Sequence, residues 1–333
     1  MASIRTVASS RKAQVLAAFL AVYLIWGSTY LAIRFAVETL PPFLLAGTRF
    51  LAAGATLYVW IRLRGGERPT AVHWRSALIV GGLLLLGGNG VVVWAEQVVP
   101  SSLAALLIST VPIWMALMGW LRPGGARPRW QVLLGLAFGF AGVALLVTSG
   151  ARQPGEQVPL IGIVAVLLAS ISWASGSLYS RAAKLPASPL LGTGMEQVAG
   201  GTLLIVLGLV TGEGGRLNLH TASPRSLLAL GYLIVFGSLI AFSAYIWLLR
   251  VSTPARVSTY AYVNPVVAVF LGWAFASEPI TPFTLVAAAI IVAAVVVITT
   301  FQTPSATHSE EPQTSPAAGQ PRPEGMASAA SRQ

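Results

Sequence analysis

Cysteine and aspartate are both absent from this sequence of 333 residues, and histidine occurs only three times. Without Cys, the chain has no disulfide and no Cys-based metal or redox site. Without Asp, and with the His residues in predicted loops and the C-terminal tail, few groups remain for hydrolytic chemistry. An intramembrane enzyme would need paired carboxylates, a His or a metal cluster. The sequence therefore disfavours an enzyme and predicts neither a metal nor a cofactor.

Charge is also scarce. Charged residues make up 9% of the chain, apolar residues make up 55%, and the mean hydropathy is +0.75. This composition indicates an integral membrane protein rather than a soluble one. Because a helix needs about 20 mostly apolar residues to cross the bilayer, ten spans are predicted. They lie at residues 13–33, 43–62, 74–94, 101–121, 131–148, 159–180, 190–210, 226–248, 256–276 and 282–301.

The predicted spans divide into two copies of five. Trp26 and Arg49 are matched by Trp173 and Glu196 at an offset of 147 residues. At an offset of 153 residues the matched pairs are Trp94 and Trp247, Pro112 and Pro265, Gly119 and Gly272, and Trp120 and Trp273. A unit with an odd number of crossings must re-enter the membrane inverted. The predicted fold is therefore an all-α integral membrane protein with ten transmembrane helices as two inverted five-helix repeats, an architecture that places transport sites near the midplane.

The charges predict the orientation of this fold. When alternate connections are assigned to opposite sides, 16 of the 21 Lys and Arg fall on one side, and the positive-inside rule makes that side cytoplasmic. The net charge of +11 then reflects topology and does not indicate binding to nucleic acid. The predicted organisation is a cytoplasmic N-terminus at 1–12, a first repeat at 13–148, a connecting loop at 149–158, a second repeat at 159–301 and a disordered cytoplasmic tail at 302–333.

Two prolines within predicted spans indicate helix breaks. Pro112 and Pro265 each remove a backbone donor near the middle of a span and free a carbonyl group one turn earlier. Polar residues stand beside both, and we interpret Ser109, Thr110, Tyr260 and Asn264 as candidate cavity residues. Kinks that only help curved helices to pack are the alternative. Two prolines at matched positions favour a cavity, because discontinuous helices at a repeat interface mark transport sites.

Aromatic and amide side chains also occur at mid-span depth. Trp26 and Tyr30 lie on one stripe of the first span, Trp173 repeats the feature in the sixth, and Asn89 lies two turns below the outer end of the third. An indole or phenol donor at that depth needs a partner. Packing against a neighbouring helix and lining of a central cavity both explain these residues, and the sequence leaves the choice open.

Four charged residues are candidates for coupling or gating. Arg49 and Glu196 lie within the second and seventh spans, and Glu96 and Glu278 lie at outer ends of the third and ninth. A carboxyl group at the depth of Glu196 is able to take up a proton during transport. The alternatives are that Glu196 is neutral or paired with Lys184 or Arg181, that Arg49 extends to the outer interface, and that the boundary charges only cap helices.

These segments resemble the EamA branch of the drug/metabolite transporter superfamily over about residues 13–301. The most specific similarity lies in NGVVVWAEQVVPSSLAALL at 89–107 and NPVVAVFLGWAFASEPIT at 264–281, with WGSTY at 26–30 and Arg49-Phe50. An acidic residue often seen after the fourth helix in that family is absent here. The resemblance implies an inner-membrane carrier in bacteria with a cavity built mainly from helices 1, 3, 4, 6, 8 and 9, and it adds Trp114, Tyr245 and Tyr260 to the cavity residues.

The predicted function is secondary transport. The resemblance implies an exporter of amino acids or related small or aromatic metabolites that works by alternating access, and Glu196 raises proton coupling as a hypothesis. An uncoupled facilitator of small polar or zwitterionic solutes is the alternative. The predicted partners are a small-molecule substrate, the lipid bilayer and, under the coupling hypothesis, protons, with no nucleic acid. The sequence is compatible with a monomer or a homodimer.

Overall fold

Helices dominate the structure because an apolar segment in a bilayer must satisfy its backbone groups internally. The computed structural model describes residues 2–99, 104, 107–123, 125, 127–149, 159–218, 221–276 and 281–301. Within these ranges the regular structure is helical and no strand occurs. The all-α class predicted from the sequence is confirmed.

The longer helices are numbered here along the chain. They are α1 (Ala2–Ala36), α2 (Pro42–Leu63), α3 (Ala71–Ala95), α4 (Val111–Leu121), α5 (Trp130–Ser149), α6 (Leu160–Ala182), α7 (Pro189–Val210), α8 (Pro224–Val251), α9 (Tyr260–Ala276) and α10 (Pro282–Thr300). Two single-turn helices, Glu213–Arg216 and Pro254–Val257, lie between them. Seven of the long helices, α1, α2, α3, α6, α7, α8 and α10, are long and apolar enough to cross a membrane. The ten spans and the inverted repeats stay predictions.

Proline and short polar side chains define where several helices begin. Pro42, Pro189, Pro224 and Pro282 occupy the first helical position, where the missing N–H would have no partner inside the helix. Before three of these prolines, a hydroxyl group accepts a hydrogen bond from the first turn, as the Ser223 hydroxyl does from the Ser226 N–H at 3.1 Å. These local preferences set the register of the polar residues along each helix.

Two helices change their hydrogen-bond pattern midway. α3 contains a π-helical segment at Gly82–Gly90, and α8 contains another at Leu233–Phe242. These are the third and eighth helices, which the sequence analysis pairs between the two copies. Such π-helical segments are uncommon and occur frequently at functional sites, and both of these contribute residues to the cavity described below.

The helices pack in matched sets. α1 packs against α8 and α9, whereas α6 packs against α3 and α4; α2 packs on α7, and α5 packs on α10. Replacing each helix by the one five places along reproduces the same contacts. The backbones of α2 and α7 approach closely, since a Cβ atom added at Gly54 would lie only 2.6 Å from the Val198 backbone nitrogen. Small residues permit this approach of two backbones.

The two prolines differ in position. Pro112 lies in the first turn of α4, and the turn at Ser109 and Thr110 separates α4 from the helical residues 107 and 108. Pro265 lies inside α9, and the turn at 258–259 comes before that helix. The chain between 100 and 106 is described only at Ala104. A break between helical residues thus precedes Pro112, whereas Pro265 lies within one continuous helix, and the functional meaning of both prolines stays a prediction.

Candidate functional site

A cavity of about 100 Å³ lies among α1, α2, α3, α4, α6, α8 and α9. Eight residues singled out from the sequence line it: Trp26, Tyr30, Arg49, Asn89, Glu96, Trp173, Tyr260 and Asn264. Further lining residues include Thr29, Phe50, Val92, Ser170 and Phe242. We call this space the central cavity. Its residues come from both halves of the chain.

Trp26 stands at the centre of an aromatic cluster. Its ring centroid lies 5.6 Å from that of Trp173 and 5.0 Å from those of Tyr245 and Tyr260. Edge-to-face and tilted pairs at these distances are favourable for aromatic rings. The cluster joins α1 to α6, α8 and α9 and forms one wall of the central cavity.

The polar atoms of this cluster already have partners. The Trp26 indole nitrogen donates to the Gly237 carbonyl oxygen at 3.2 Å, and the Trp173 indole nitrogen donates to the Tyr245 hydroxyl at 2.9 Å. One turn away from Trp26 along α1, the Tyr23 hydroxyl lies 2.5 Å from the Thr259 hydroxyl. Because both indole N–H groups are used within the protein, the two tryptophans offer ring surface rather than donors to a solute.

Two asparagines bring amide groups to the cavity. Asn89 lies in the π-helical part of α3, and its Oδ1 atom is buried without a hydrogen-bond partner in the part of the chain that the structure describes. Asn264 on α9 is oriented so that Nδ2 donates to the carbonyl oxygens of Tyr23 and Tyr260, at 3.2 and 3.1 Å. Asn264 therefore ties α9 to α1, whereas Asn89 keeps an unsatisfied acceptor.

Arg49 lies in the cavity wall and does not extend to the outer interface. Its side chain is only 5% exposed, and its Nε atom donates to the Ser238 hydroxyl at 2.9 Å. The Gln197 amide donates to the Ser238 carbonyl oxygen at 3.2 Å. The alternative of an arginine that reaches the interface is therefore wrong, because Ser238 on α8 holds the guanidinium inside the protein.

Glu96 follows the last residue of α3 and lies between two cavities. Besides the central cavity, it lines a more polar cavity of about 270 Å³, which we call the vestibule. The vestibule is bordered by the connection between α1 and α2 and by Arg34, Glu38, Gln97 and Arg216. Burial raises the pKa of the Glu96 carboxyl group to about 7.

Four of the predicted cavity residues do not line the central cavity. Thr110 donates to the Leu107 carbonyl oxygen at 2.6 Å and accepts from the Trp114 indole nitrogen at 3.1 Å. Ser109 is fully buried. Tyr245 is fully buried behind Trp26 and Trp173. These four side chains lie around the central cavity without lining it.

Glu196 is buried in α7 away from both cavities. Its Oε1 atom accepts from the Ser180 hydroxyl at 3.5 Å, and no described residue forms a hydrogen bond with its Oε2 atom. Arg181 instead donates to the carbonyl oxygens of Leu249 and Ser252, at 2.7 and 2.6 Å. The alternative in which Arg181 neutralises Glu196 is therefore wrong.

Two further points concern the candidate residues. Glu278 lies outside the described residues. Sequence reasoning missed Ser238, Gln197, Ser170 and Phe242, and only Gln197 gave a usable signal, as a polar residue beside Glu196 within a span. In the part of the chain that the structure describes, no three His, Asp or Glu side chains form a group able to hold a metal ion.

Comparison with known proteins agrees with the similarity noted in the sequence. Residues 13–148 and 160–300 match the EamA-like transporter family. The chain is 41% identical over 276 residues to the "Uncharacterized inner membrane transporter YedA" of Escherichia coli K12, covering 82% of this chain and 86% of that protein. It is 28% identical to "Protein PecM" of Dickeya dadantii, covering 79% and 84%.

The fold is also found in a solved structure. A crystal structure of another protein superposes with a TM-score of 0.70 at 22% identity, covering 86% of this chain and 97% of that one. At this identity the likeness concerns the fold alone. The family match and the apolar helices together confirm the resemblance inferred from the sequence: this chain is an integral membrane protein that belongs to the EamA-like transporter family.

Proposed function

We propose that this protein is a secondary transporter that exports small metabolites, such as amino acids or related small aromatic compounds, by alternating access around the central cavity. The observation that carries the proposal is the cavity itself. It lies where the two halves of the chain meet, it combines aromatic ring surface with a few polar groups, and ligand sites have this character. The exporting direction and the inner membrane of a bacterium as its location are part of the proposal.

The matched packing of helices supports the inverted-repeat architecture within this proposal. α1 takes α8 and α9 as neighbours, and α6 takes α3 and α4, as expected for two copies related by a pseudo-twofold axis in the membrane plane. The two π-helical segments occur in counterpart helices. We infer ten spans, with repeats at 13–148 and 159–301 and both termini in the cytoplasm.

The cavities support a conformation open toward the outside. The central cavity and the vestibule adjoin at Val93 and Glu96, at the end of the bundle where α1 ends and α2 begins. At the opposite side of the central cavity, the Tyr23–Thr259 contact and the aromatic cluster close the space between α1 and α9. With the termini inside, this closed side faces the cytoplasm, and Glu96 is the proposed outer gate.

The proposal assigns proton coupling to Glu196. A buried carboxyl group with one unsatisfied oxygen is suited to take up a proton during the transport cycle. Replacing Glu196 by Gln in proteoliposomes tests this role. Flux driven by a pH gradient is expected for the original protein and is lost in the variant. Flux that ignores the gradient in both proteins would instead identify an uncoupled facilitator.

Untargeted metabolite profiling of culture medium tests the transport function. Cells that overproduce the chain are compared with cells that produce Trp26→Ala, which removes the centre of the aromatic cluster, and Trp130→Ala as a matched control. Trp130 is 66% exposed at the surface of α5, so its loss leaves the cavity intact. A compound that accumulates with the original chain and with Trp130→Ala, but not with Trp26→Ala, identifies the substrate class. The same medium composition in all three cultures would contradict an exporter.

A further inference from the structure

Most N–H donors of the Arg49 guanidinium form no hydrogen bond with the described residues. Arginine carries five N–H donors and stays charged in proteins. The single hydrogen bond that Arg49 makes to the described residues uses Nε and the Ser238 hydroxyl at 2.9 Å. The guanidinium carbon lies 4.3 Å from the Phe50 ring centroid, which covers one face of the group. Four N–H donors on Nη1 and Nη2 remain for a ligand.

The charge of Arg49 has no counter-ion among the described residues. The ion pair found there joins Arg225 to Glu38 at 3.9 Å, and both of those residues are exposed. A buried charge without a partner is costly, and ionisable residues inside a membrane protein generally mark functional sites. The wall of the central cavity therefore contains a guanidinium that forms no ion pair with the described residues, including Glu96, the acidic residue that also lines the cavity.

The rest of the cavity is suited to the remainder of such a ligand. Asn89 offers a buried Oδ1 acceptor that has no partner among the described residues. Trp26 and Trp173 use their indole N–H groups elsewhere, so they present ring surface. A ligand that fits these groups has an anionic end, a flat apolar body and room for one hydrogen-bond donor.

We propose that Arg49 binds a carboxylate group of the transported solute and that Ser238 is a positioning residue that holds Nε so that the Nη atoms face the carboxylate. The planar fork of a guanidinium matches a carboxylate with two parallel hydrogen bonds. A single negative charge neutralises the single guanidinium. This assignment rests on the proposed function, because it takes the central cavity as the transport site.

Three probes with the same phenyl ring test the assignment. Phenylacetate, phenylacetamide and phenethylamine are titrated calorimetrically into the purified full chain in lipid nanodiscs. We expect phenylacetate to bind at least about tenfold more tightly than phenylacetamide, in line with the strength of charge-assisted hydrogen bonds, and phenethylamine to bind most weakly. Equal affinities, a preference for the amine or no binding of phenylacetate at millimolar concentration would overturn the proposal.

Variants locate the effect. Arg49→Gln is expected to abolish the preference for phenylacetate, and Arg49→Lys to keep part of it. Ser238→Ala is expected to weaken the binding of phenylacetate several-fold and to leave the affinity for phenylacetamide unchanged. This result would distinguish a positioning role from a general loss of structure. Arg225→Gln, an exposed arginine outside the central cavity, serves as the control and keeps the preference. A preference that survives in folded Arg49→Gln protein contradicts the role of Arg49.

Flux measurements separate this proposal from the transport function. Binding of phenylacetate at Arg49 without any flux in proteoliposomes would support the carboxylate site and contradict the transport function. Flux of the neutral amide at the same rate as the carboxylate would support the transport function and contradict the carboxylate site at Arg49.

Discussion

The Trp173 indole nitrogen donates a hydrogen bond of 2.9 Å to the Tyr245 hydroxyl, which joins α6 to α8 directly behind the central cavity. The Ser177 hydroxyl lies 2.5 Å from the same oxygen. Tyr245 is fully buried and packs on Trp26 and Tyr260. One phenol group thus fixes the ring that forms a wall of the cavity.

Replacing Tyr245 by Phe tests this link. The variant keeps the ring but removes the hydroxyl oxygen that accepts from the Trp173 N–H, and a buried donor that loses its partner costs about 1–3 kcal/mol. We expect a lower thermal unfolding midpoint in detergent. Tyr179→Phe, on the helix α6 that carries Trp173, is the control, because no hydrogen bond of its hydroxyl group is found among the described residues. Equal midpoints for the two variants would mean that the phenol does not hold Trp173.

Glu213 caps a helix of the other half. Its carboxylate accepts from the backbone N–H groups of Phe43 and Leu44, at 3.2 and 2.9 Å, in the first turn of α2. A negative charge at a helix N-terminus stabilises by up to about 2 kcal/mol when it is partly buried. Glu213→Gln is therefore expected to lower the unfolding midpoint. Glu38→Gln, at an exposed ion pair, is expected to change it little, and a reversed order would contradict the cap.

Stability should depend on pH through Glu96. Burial raises the pKa of this carboxyl group from 4.5 to about 7, so the folded protein holds its proton more tightly than the unfolded chain. The protonated Glu96 carboxyl group contributes its full stabilisation of the fold below about pH 4.5. This contribution is lost as the pH rises toward about 7, and the stability does not change further through Glu96 above that pH. Unfolding midpoints measured from pH 5 to pH 8 should fall less in Glu96→Gln than in the original protein. If the unfolding midpoints of both proteins fell equally with pH, Glu96 would not be the source of the pH dependence.

Sequence reasoning identified many of the cavity residues because their side-chain types are unusual at that depth in an apolar span. Trp26, Trp173, Asn89 and Asn264 are conspicuous as aromatic or amide side chains deep within apolar spans, and all four line the central cavity. A residue type at a given depth can be read from the sequence. The direction in which it points within a packed bundle cannot.

Other side-chain positions were not predicted from the sequence, because they depend on the rotation of each helix and on local departures from regular helical geometry. The regular period of an α-helix does not hold through the π-helical segments of α3 and α8, so the direction of Ser238 could not be derived from spacing. Thr110 and Trp114 bond to each other because a turn ends at Thr110 and α4 starts after it. For Arg49 the sequence left open whether the side chain extends to the interface, because it gives no sign of the hydroxyl on α8 that holds it.

The most direct test of alternating access uses the natural absence of Cys. Thr29→Cys places a thiol in the wall of the central cavity, and Ala174→Cys places one at a fully buried position on α6. Both variants are treated with a membrane-impermeant thiol reagent in vesicles of each orientation. The account predicts that Cys at position 29 is labelled from both sides of the membrane and Cys at position 174 from neither. Labelling of position 29 from one side only, or from neither, would contradict a cavity that opens alternately to the two sides.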